Sequence, residues 1–280
     1  MDATQRSRAY LGGLLKYGSL IAVSFIALMP IVVIAMASLK TTKEYLTTGP
    51  LDPPANWLNF ANFGTAFNNG GMLMAFGNTA FILVISVAGS LLIGSMAAYA
   101  LSRFEFRFKA IVVFLFLLAA IVPSITAQVA TFQLVNSMGL FNTRWSAIVL
   151  YTSTDIVSIY IFLQFMRGIP KTLDEAAIMD GASHFAIYRK VILPLLKPAI
   201  ATVMIIKGVA VYNDFYIPYL YMPSKDLGVV STALQRFKGP FDTRWEVIAA
   251  GVVIANIPTL FIFLGLQRFI YNGLTRGSMK

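Results

Sequence analysis

Met74-Ala-Phe-Gly-Asn-Thr-Ala-Phe-Ile-Leu-Val-Ile-Ser-Val-Ala-Gly-Ser-Leu-Leu-Ile-Gly-Ser-Met-Ala-Ala-Tyr-Ala-Leu101 contains no charged side chain. An α-helix rises about 1.5 Å per residue, so about 20 such residues cross the roughly 30 Å of hydrocarbon in a bilayer. The run shows no strict in-out alternation, which argues against a strand of a membrane barrel. It predicts a membrane-spanning helix. Similar runs lie on either side, at Tyr17 to Leu39, Ala110 to Thr131, Trp145 to Phe165, Pro198 to Met222 and Val247 to Gln267. The sequence therefore predicts an all-α integral membrane protein with six transmembrane helices. Pro30, Pro123, Pro218 and Pro258 fall within or beside these runs, where the missing amide produces a kink or a local opening.

The composition agrees with this reading. Of 280 residues, 58% are hydrophobic and only 12% are charged, far from the balance of a soluble domain. There is no cysteine, which excludes disulfides, thiolate zinc sites and thiol catalysis. The formal charge of +10 is not gathered into a basic stripe with interleaved aromatics, so no nucleic-acid partner is expected.

Six spans put both termini on one side, and the basic residues choose the side. With the N terminus in the cytoplasm, the inner segments hold Arg6, Arg8, Lys16, Arg103, Arg107, Lys109, Arg167, Lys171, Arg189, Lys190, Lys197, Arg268, Arg276 and Lys280. The outer segments hold only Lys40, Lys43, Arg144, Lys225, Arg236, Lys238 and Arg244. This twofold excess satisfies the positive-inside rule and predicts cytoplasmic termini. Arg6, Arg8 and Lys16 ahead of an apolar run and Ala35-Met36-Ala37 resemble a signal peptide, but the run exceeds a typical signal core and reads better as an uncleaved helix. Between the first two runs, Gly49-Pro50 and Asp52-Pro53-Pro54 precede Trp57, Phe60, Phe63 and Phe67, a pattern for a folded interfacial loop.

From Arg167 to Pro198 the chain turns polar and leaves the membrane on the predicted inner side. Thr172 with Glu175 three residues later is the spacing of a capping box. Ala176, Ala177, Ile178 and Met179 continue a helix, and Gly181 permits a turn or close backbone approach. Leu193 before Pro194 predicts a helix boundary.

The run Glu175-Ala176-Ala177-Ile178-Met179-Asp180-Gly181 followed by Val191-Ile192-Leu193-Pro194 resembles the EAA signature of bacterial ABC import permeases. One position departs, Val191 standing where the pattern prefers isoleucine. The resemblance extends to Pro123, to Gly139-Leu140, to Gln267-Arg268-Phe269 and to Gly273-Leu274-Thr275. It is similar to the carbohydrate-uptake class for oligosaccharides, in particular to the smaller maltose-type permease subunit. The resemblance implies a cytoplasmic segment of residues 1–16, then a single transmembrane permease domain of residues 17–280 that contains the coupling segment, residues 170–194. It further implies that Glu175, Ala176, Ala177, Asp180, Gly181, Leu193 and Pro194 form a coupling-helix pair seated in a cleft of a cytoplasmic ATPase subunit. Glu175 would engage a basic group there, and His184 would belong to the same surface.

The implied partners are a second homologous permease, two ATPase subunits, an extracytoplasmic solute-binding protein, a carbohydrate substrate and the lipids of the bacterial cytoplasmic membrane. ATP and Mg would be bound by the ATPase subunits. This chain lacks a Gly-x-x-x-x-Gly-Lys-Ser/Thr loop and an HExxH pair, so no cofactor and no catalysis of its own are expected. Alternating access would move the sugar inward. A different solute (a polyol, a glycerol phosphodiester or a peptide) and ion-coupled secondary transport are the competing readings.

Three charges interrupt the apolar runs. Asp155, Lys207 and Asp214 should face protein or water, because a charge at a span centre costs about 2.5 to 3.5 kcal/mol on insertion scales. Asp155 and Lys207 reach similar depths and are candidates for an intramembrane pair. Lys207 and Asp214, seven apart, would share a helix face. Tyr212, Asn213, Asp214 and Tyr216 offer the aromatic and hydrogen-bonding surface that suits a sugar pathway, or alternatively tie helices or subunits together.

Overall fold

The computed structural model describes residues 3–123, 125–153, 156–239 and 242–277. The described residues are mostly helical, and their only strand-like pairing is an isolated bridge between Lys238 and Thr243. Among the described residues three helices are long and apolar enough to cross a membrane, at Leu15–Leu39, Met72–Arg103 and Trp245–Ile262. Two bent pairs raise the number to five if each is a single span: Arg144–Ser153 with Ile156–Arg167, bent by 41°, and His184–Leu195 with Lys197–Asn213, bent by 75°. The run predicted as the third span is divided into Lys109–Ile121 and Gln128–Ser137. The first piece has 13 residues, about 20 Å of helix, too short alone for about 30 Å of hydrocarbon. Its division falls at Val122-Pro123, where the backbone turns extended at ψ 117° and the proline supplies no amide. Pro30 and Pro258, by contrast, lie inside continuous helices.

The chain divides into two compact units. The first comprises residues 1–72 and 234–259. The final carbonyls of its Ala3–Leu39 helix are capped from outside, a necessity at any helix end. Asn59 Nδ2 donates to the Leu39 carbonyl at 2.9 Å, and Asn62 Nδ2 to those of Ser38 and Lys40 at 2.9 and 2.7 Å. Lys40 is buried, and its Nζ donates to Thr48 Oγ1 at 2.9 Å and the Gly49 carbonyl at 2.8 Å. A capping box does form in this loop: Thr41 and Glu44 exchange hydrogen bonds at the start of Thr42–Thr47. Ala66, Val247 and Ala250 make the core of the unit, while most of Leu15–Leu39 stands exposed and apolar, a surface for lipid or another subunit rather than water.

The second unit comprises residues 73–233 and 260–280. Near one end of Met72–Arg103, Asn78 donates to the carbonyls of Asp226 and Gly228 at 2.8 and 2.9 Å, and Thr79 Oγ1 accepts from the Val230 amide at 3.0 Å. Midway along, Gly89 lets this helix approach Arg144–Ser153, since a Cβ there would come within 2.8 Å of Thr152 Cγ2. At the other end Ala98 and Tyr99 join Phe162, Met166, Ile187 and Tyr188 in a buried apolar cluster.

Candidate functional site

The second unit contains the segment from Pro170 to Pro194, and its local geometry follows closely from sequence. Helix Thr172–Met179 ends at Asp180, after which Gly181 adopts φ 78°, a left-handed value open to glycine without strain. The Gly181 amide donates to the Ile178 carbonyl and the Ala182 amide to the Ala177 carbonyl, both at 2.9 Å. These two bonds are a Schellman closure, which satisfies carbonyls that the helix end would otherwise leave bare. Ser183 then starts the next helix, its Oγ accepting from the Ala186 amide at 3.3 Å.

Two local expectations need correction. Thr172 and Glu175 form no capping box: the N-cap is Lys171 and no side chain caps there. Helical geometry already begins at Lys171, whose carbonyl accepts from the amides of Asp174 and Glu175, and the Pro170 carbonyl accepts from the Leu173 amide, so Thr172 lies inside the first turn. Nor does Leu193 end a helix. Leu193 is α-helical at φ −57° and ψ −40°, and the path stays helical through Leu195 before bending at Leu196. Pro194 is accommodated by a π-helical stretch, Tyr188–Ile192, in which the Leu193 amide reaches back to the Tyr188 carbonyl. A proline collides with the carbonyl four residues earlier in a regular α-helix, and the wider turn relieves that clash.

Glu175, Ala176, Asp180, Gly181 and Pro194 are exposed, whereas Ala177 and Leu193 are half-buried against the apolar cluster. Leu173, Ile178, Met179 and Phe185 are also exposed, Met179 at 87%. The segment thus offers apolar side chains beside the carboxylates of Glu175 and Asp180. Its inner face is held differently. Asp174 is buried with its Oδ2 3.0 Å from Arg103 Nε, an ion contact without the alignment of a hydrogen bond, and Arg103 also donates to the Ile169 carbonyl at 3.1 Å. His184 is exposed and meets the Phe104 ring edge-on at 5.0 Å. Asp174 and Arg103 were not singled out from sequence. The available signal was helical spacing, which puts Asp174 on the face of half-buried Ala177 and opposite Met179.

Of the polar residues in the apolar runs, Asp155 and its proposed pairing with Lys207 lie outside the described residues, and Lys207 itself is half-buried in Lys197–Asn213. Asp214 does not share a helix face with Lys207, because the helix ends at Asn213 and Asp214 turns extended at ψ 121°. Its Oδ1 accepts from the amides of Tyr216 and Ile217 at 2.7 and 3.4 Å, so it caps the short helix Tyr216–Tyr221. Asn213 and Tyr216 are exposed and Tyr212 and Asp214 half-buried. Tyr212 lines a cavity of about 10 Å³, enough for one water and too small for a sugar. Phe215 and Tyr219 stack at the break after Asn213, at 5.0 Å, an aromatic pair overlooked in the sequence because the break itself was not foreseen.

Residues 90–276 match the family described as binding-protein-dependent transport system inner membrane component, and the match includes the whole segment just described. The chain belongs to that family. It is a multi-pass membrane permease component, a non-catalytic part of an ABC importer. The permease is 30% identical over 262 residues to the arabinooligosaccharides transport system permease protein AraQ of Halalkalibacterium halodurans, covering 92% of this chain and 93% of the relative. It is also 30% identical to the melibiose/raffinose/stachyose import permease protein MelC of Bacillus subtilis, over 90% and 91% of the two chains. The permease fold resembles the crystal structure of a bacterial ABC transporter involved in the import of the acidic polysaccharide alginate, with a TM-score of 0.81, 21% identity and coverage of 96% and 98%.

Proposed function

We propose that this permease carries a sugar or oligosaccharide inward across the bacterial cytoplasmic membrane, with both termini cytoplasmic, as one subunit of a complex with a second permease, two ATPase subunits and a solute-binding protein. The relatives for arabinooligosaccharides and for melibiose, raffinose and stachyose support the carbohydrate class. A maltose-type subunit is the finer assignment within it. The basic bias supports the orientation, with residues 1–16 cytoplasmic and the six apolar runs in one transmembrane domain.

One observation carries the mechanism: a helix-turn-helix closed by Gly181 presents exposed Leu173, Ile178, Met179 and Phe185 beside Glu175 and Asp180. Such a surface fits an apolar cleft with a basic rim, the chemistry expected of a coupling contact with an ATPase. ATP and Mg act in that partner, and closure of the partner pair moves the segment and shifts the permease between outward-open and inward-open populations. Tyr212, Asn213, Asp214 and Tyr216, with Phe215 and Tyr219 stacked beside them, form the candidate sugar-facing surface, since sugars need hydrogen-bonding partners for their hydroxyls and pack their C–H faces on rings. Asp155 and Lys207 remain the candidate structural pair.

Reconstitution tests this reading. The purified complex in liposomes should take up an oligosaccharide delivered by its binding protein when ATP is enclosed and no ion gradient is imposed. Uptake that follows a proton gradient and ignores ATP would overturn it.

A further inference from the structure

The segment from Pro170 to Leu196 is joined covalently to two membrane helices, yet each junction is a bend. Gly168-Ile169-Pro170 separates it from Ile156–Arg167, and the 75° turn at Leu196 separates it from Lys197–Asn213. A push on the segment would be absorbed at such joints. Beyond these joints it is also attached, by an ion pair, to Met72–Arg103, a helix distant in sequence. Asp174 reaches Arg103 at 3.0 Å with both side chains nearly buried, at 13% and 8% exposure. The second helix of the segment is held to the same element: Tyr188 Oη lies 2.8 Å from Ser95 Oγ, and Tyr99 Oη donates to the His184 carbonyl at 3.4 Å. Tyr99 packs against the rings of both Tyr188 and Phe104, at 5.5 and 5.8 Å. Both halves of the segment therefore lie against the last three turns of one membrane helix.

We infer that Arg103 and Asp174 are positioning residues for transport: their buried pair makes the coupling segment and the end of Met72–Arg103 move as one body, so that displacement of the segment enters the membrane through this helix. The inference rests on the coupling role proposed above. Charge is what makes the link firm. Separating the pair leaves the Asp174 carboxylate, whose oxygens accept no hydrogen bond, and the Arg103 guanidinium without a counter-charge in a poorly solvated site, a state far less accessible than separation of two apolar side chains. Ser95, Tyr99 and Tyr188 fix orientation, and the ion pair resists parting.

The test uses the whole complex in proteoliposomes and reads sugar taken up per ATP hydrolysed, alongside the amount of ATPase subunit that co-purifies. Asp174→Asn keeps the shape and removes the charge. It should leave the ATPase subunits bound and lower uptake per ATP by roughly tenfold, within the usual range of coupling between sites. Arg103→Met should do the same, and Arg103→Lys, which keeps the charge, should hold the ratio near that of the unmodified complex. Met179→Asp, on the outward face, tests the coupling role separately and should release the ATPase subunits. If Met179→Asp releases them while Asp174→Asn leaves uptake per ATP unchanged, the transmission role is overturned and the coupling role stands. If Met179→Asp has no effect on binding or uptake, the coupling role itself falls. Equal losses in Arg103→Lys and Arg103→Met would overturn the ion pair as the link.

Discussion

Replacing Gly181 by alanine and, separately, by asparagine distinguishes two reasons for a glycine at that position. At φ 78° an L-residue pays about 1 to 2 kcal/mol for the left-handed conformation, with asparagine among the more tolerant side chains. A Cβ added to Gly181 meets nothing within 4 Å, so this chain supplies no steric reason for the glycine. If the turn alone mattered, alanine would be the worse substitution, by about 1 kcal/mol or roughly fivefold in affinity for the ATPase subunit. If the open space above Gly181 is where a partner's backbone approaches, asparagine should be worse despite its lower strain, because it projects a longer side chain into that space. Seating of the segment with a partner's backbone close to Gly181 gives the second order. Titrating the purified permease complex with ATPase subunit, and measuring ATP-dependent uptake at saturation, gives both affinity and coupling. Asparagine binding as tightly as alanine, or more tightly, would refute the close approach and leave Gly181 as a turn residue only. Gly181→Asp, which also sets a second carboxylate beside Asp180, should insert normally in the membrane and lose sugar-stimulated ATP hydrolysis.

Two further outcomes follow from single side chains. Lys40→Met removes the ammonium that ties Thr48 and Gly49 to the end of the first long helix; losing these hydrogen bonds to a charged donor should cost about 1.5 to 3 kcal/mol and lower the thermal midpoint of the detergent-solubilised protein, and an unchanged midpoint would sink this account. Asp214→Asn keeps the oxygen that caps Tyr216–Tyr221 and should retain uptake, whereas Asp214→Ala should destabilise that helix by about 1 kcal/mol; loss of uptake in the asparagine variant alone would instead make the charge itself functional.

The apolar helices were legible because membrane insertion demands long uncharged runs, which composition reveals without any knowledge of packing. Gly181 was legible for a similar reason: few residues accept its conformation. What could not be read were features decided by contacts distant in sequence or by competition between neighbouring turns. Thr172 has the letter of an N-cap, but Lys171 already turns helical one residue earlier and its carbonyl takes the amides of Asp174 and Glu175 that Thr172 would have capped. Leu193-Pro194 has the letters of a stop, yet one π-helical stretch lets the chain pass through. Asp214 carries a charge that suggested a polar stripe, and the extended backbone at that same residue removes it from the helix. Asp174 became informative only when Arg103 appeared beside it.

The π-helical stretch Tyr188–Ile192 also governs which changes of length this protein can survive. A π-turn holds one residue more than the α-turn it replaces, and each residue of an α-helix corresponds to a rotation of about 100°. Deleting a single residue between Tyr188 and Ile192 would restore regular winding and swing His184 and Phe185 about a quarter-turn away from the end of Met72–Arg103, parting Tyr188 from Ser95. Substitutions along this stretch can be judged one side chain at a time, but its residue count acts as an angular gauge, and an insertion or deletion there would misaim the whole outward surface while leaving every side chain on it intact.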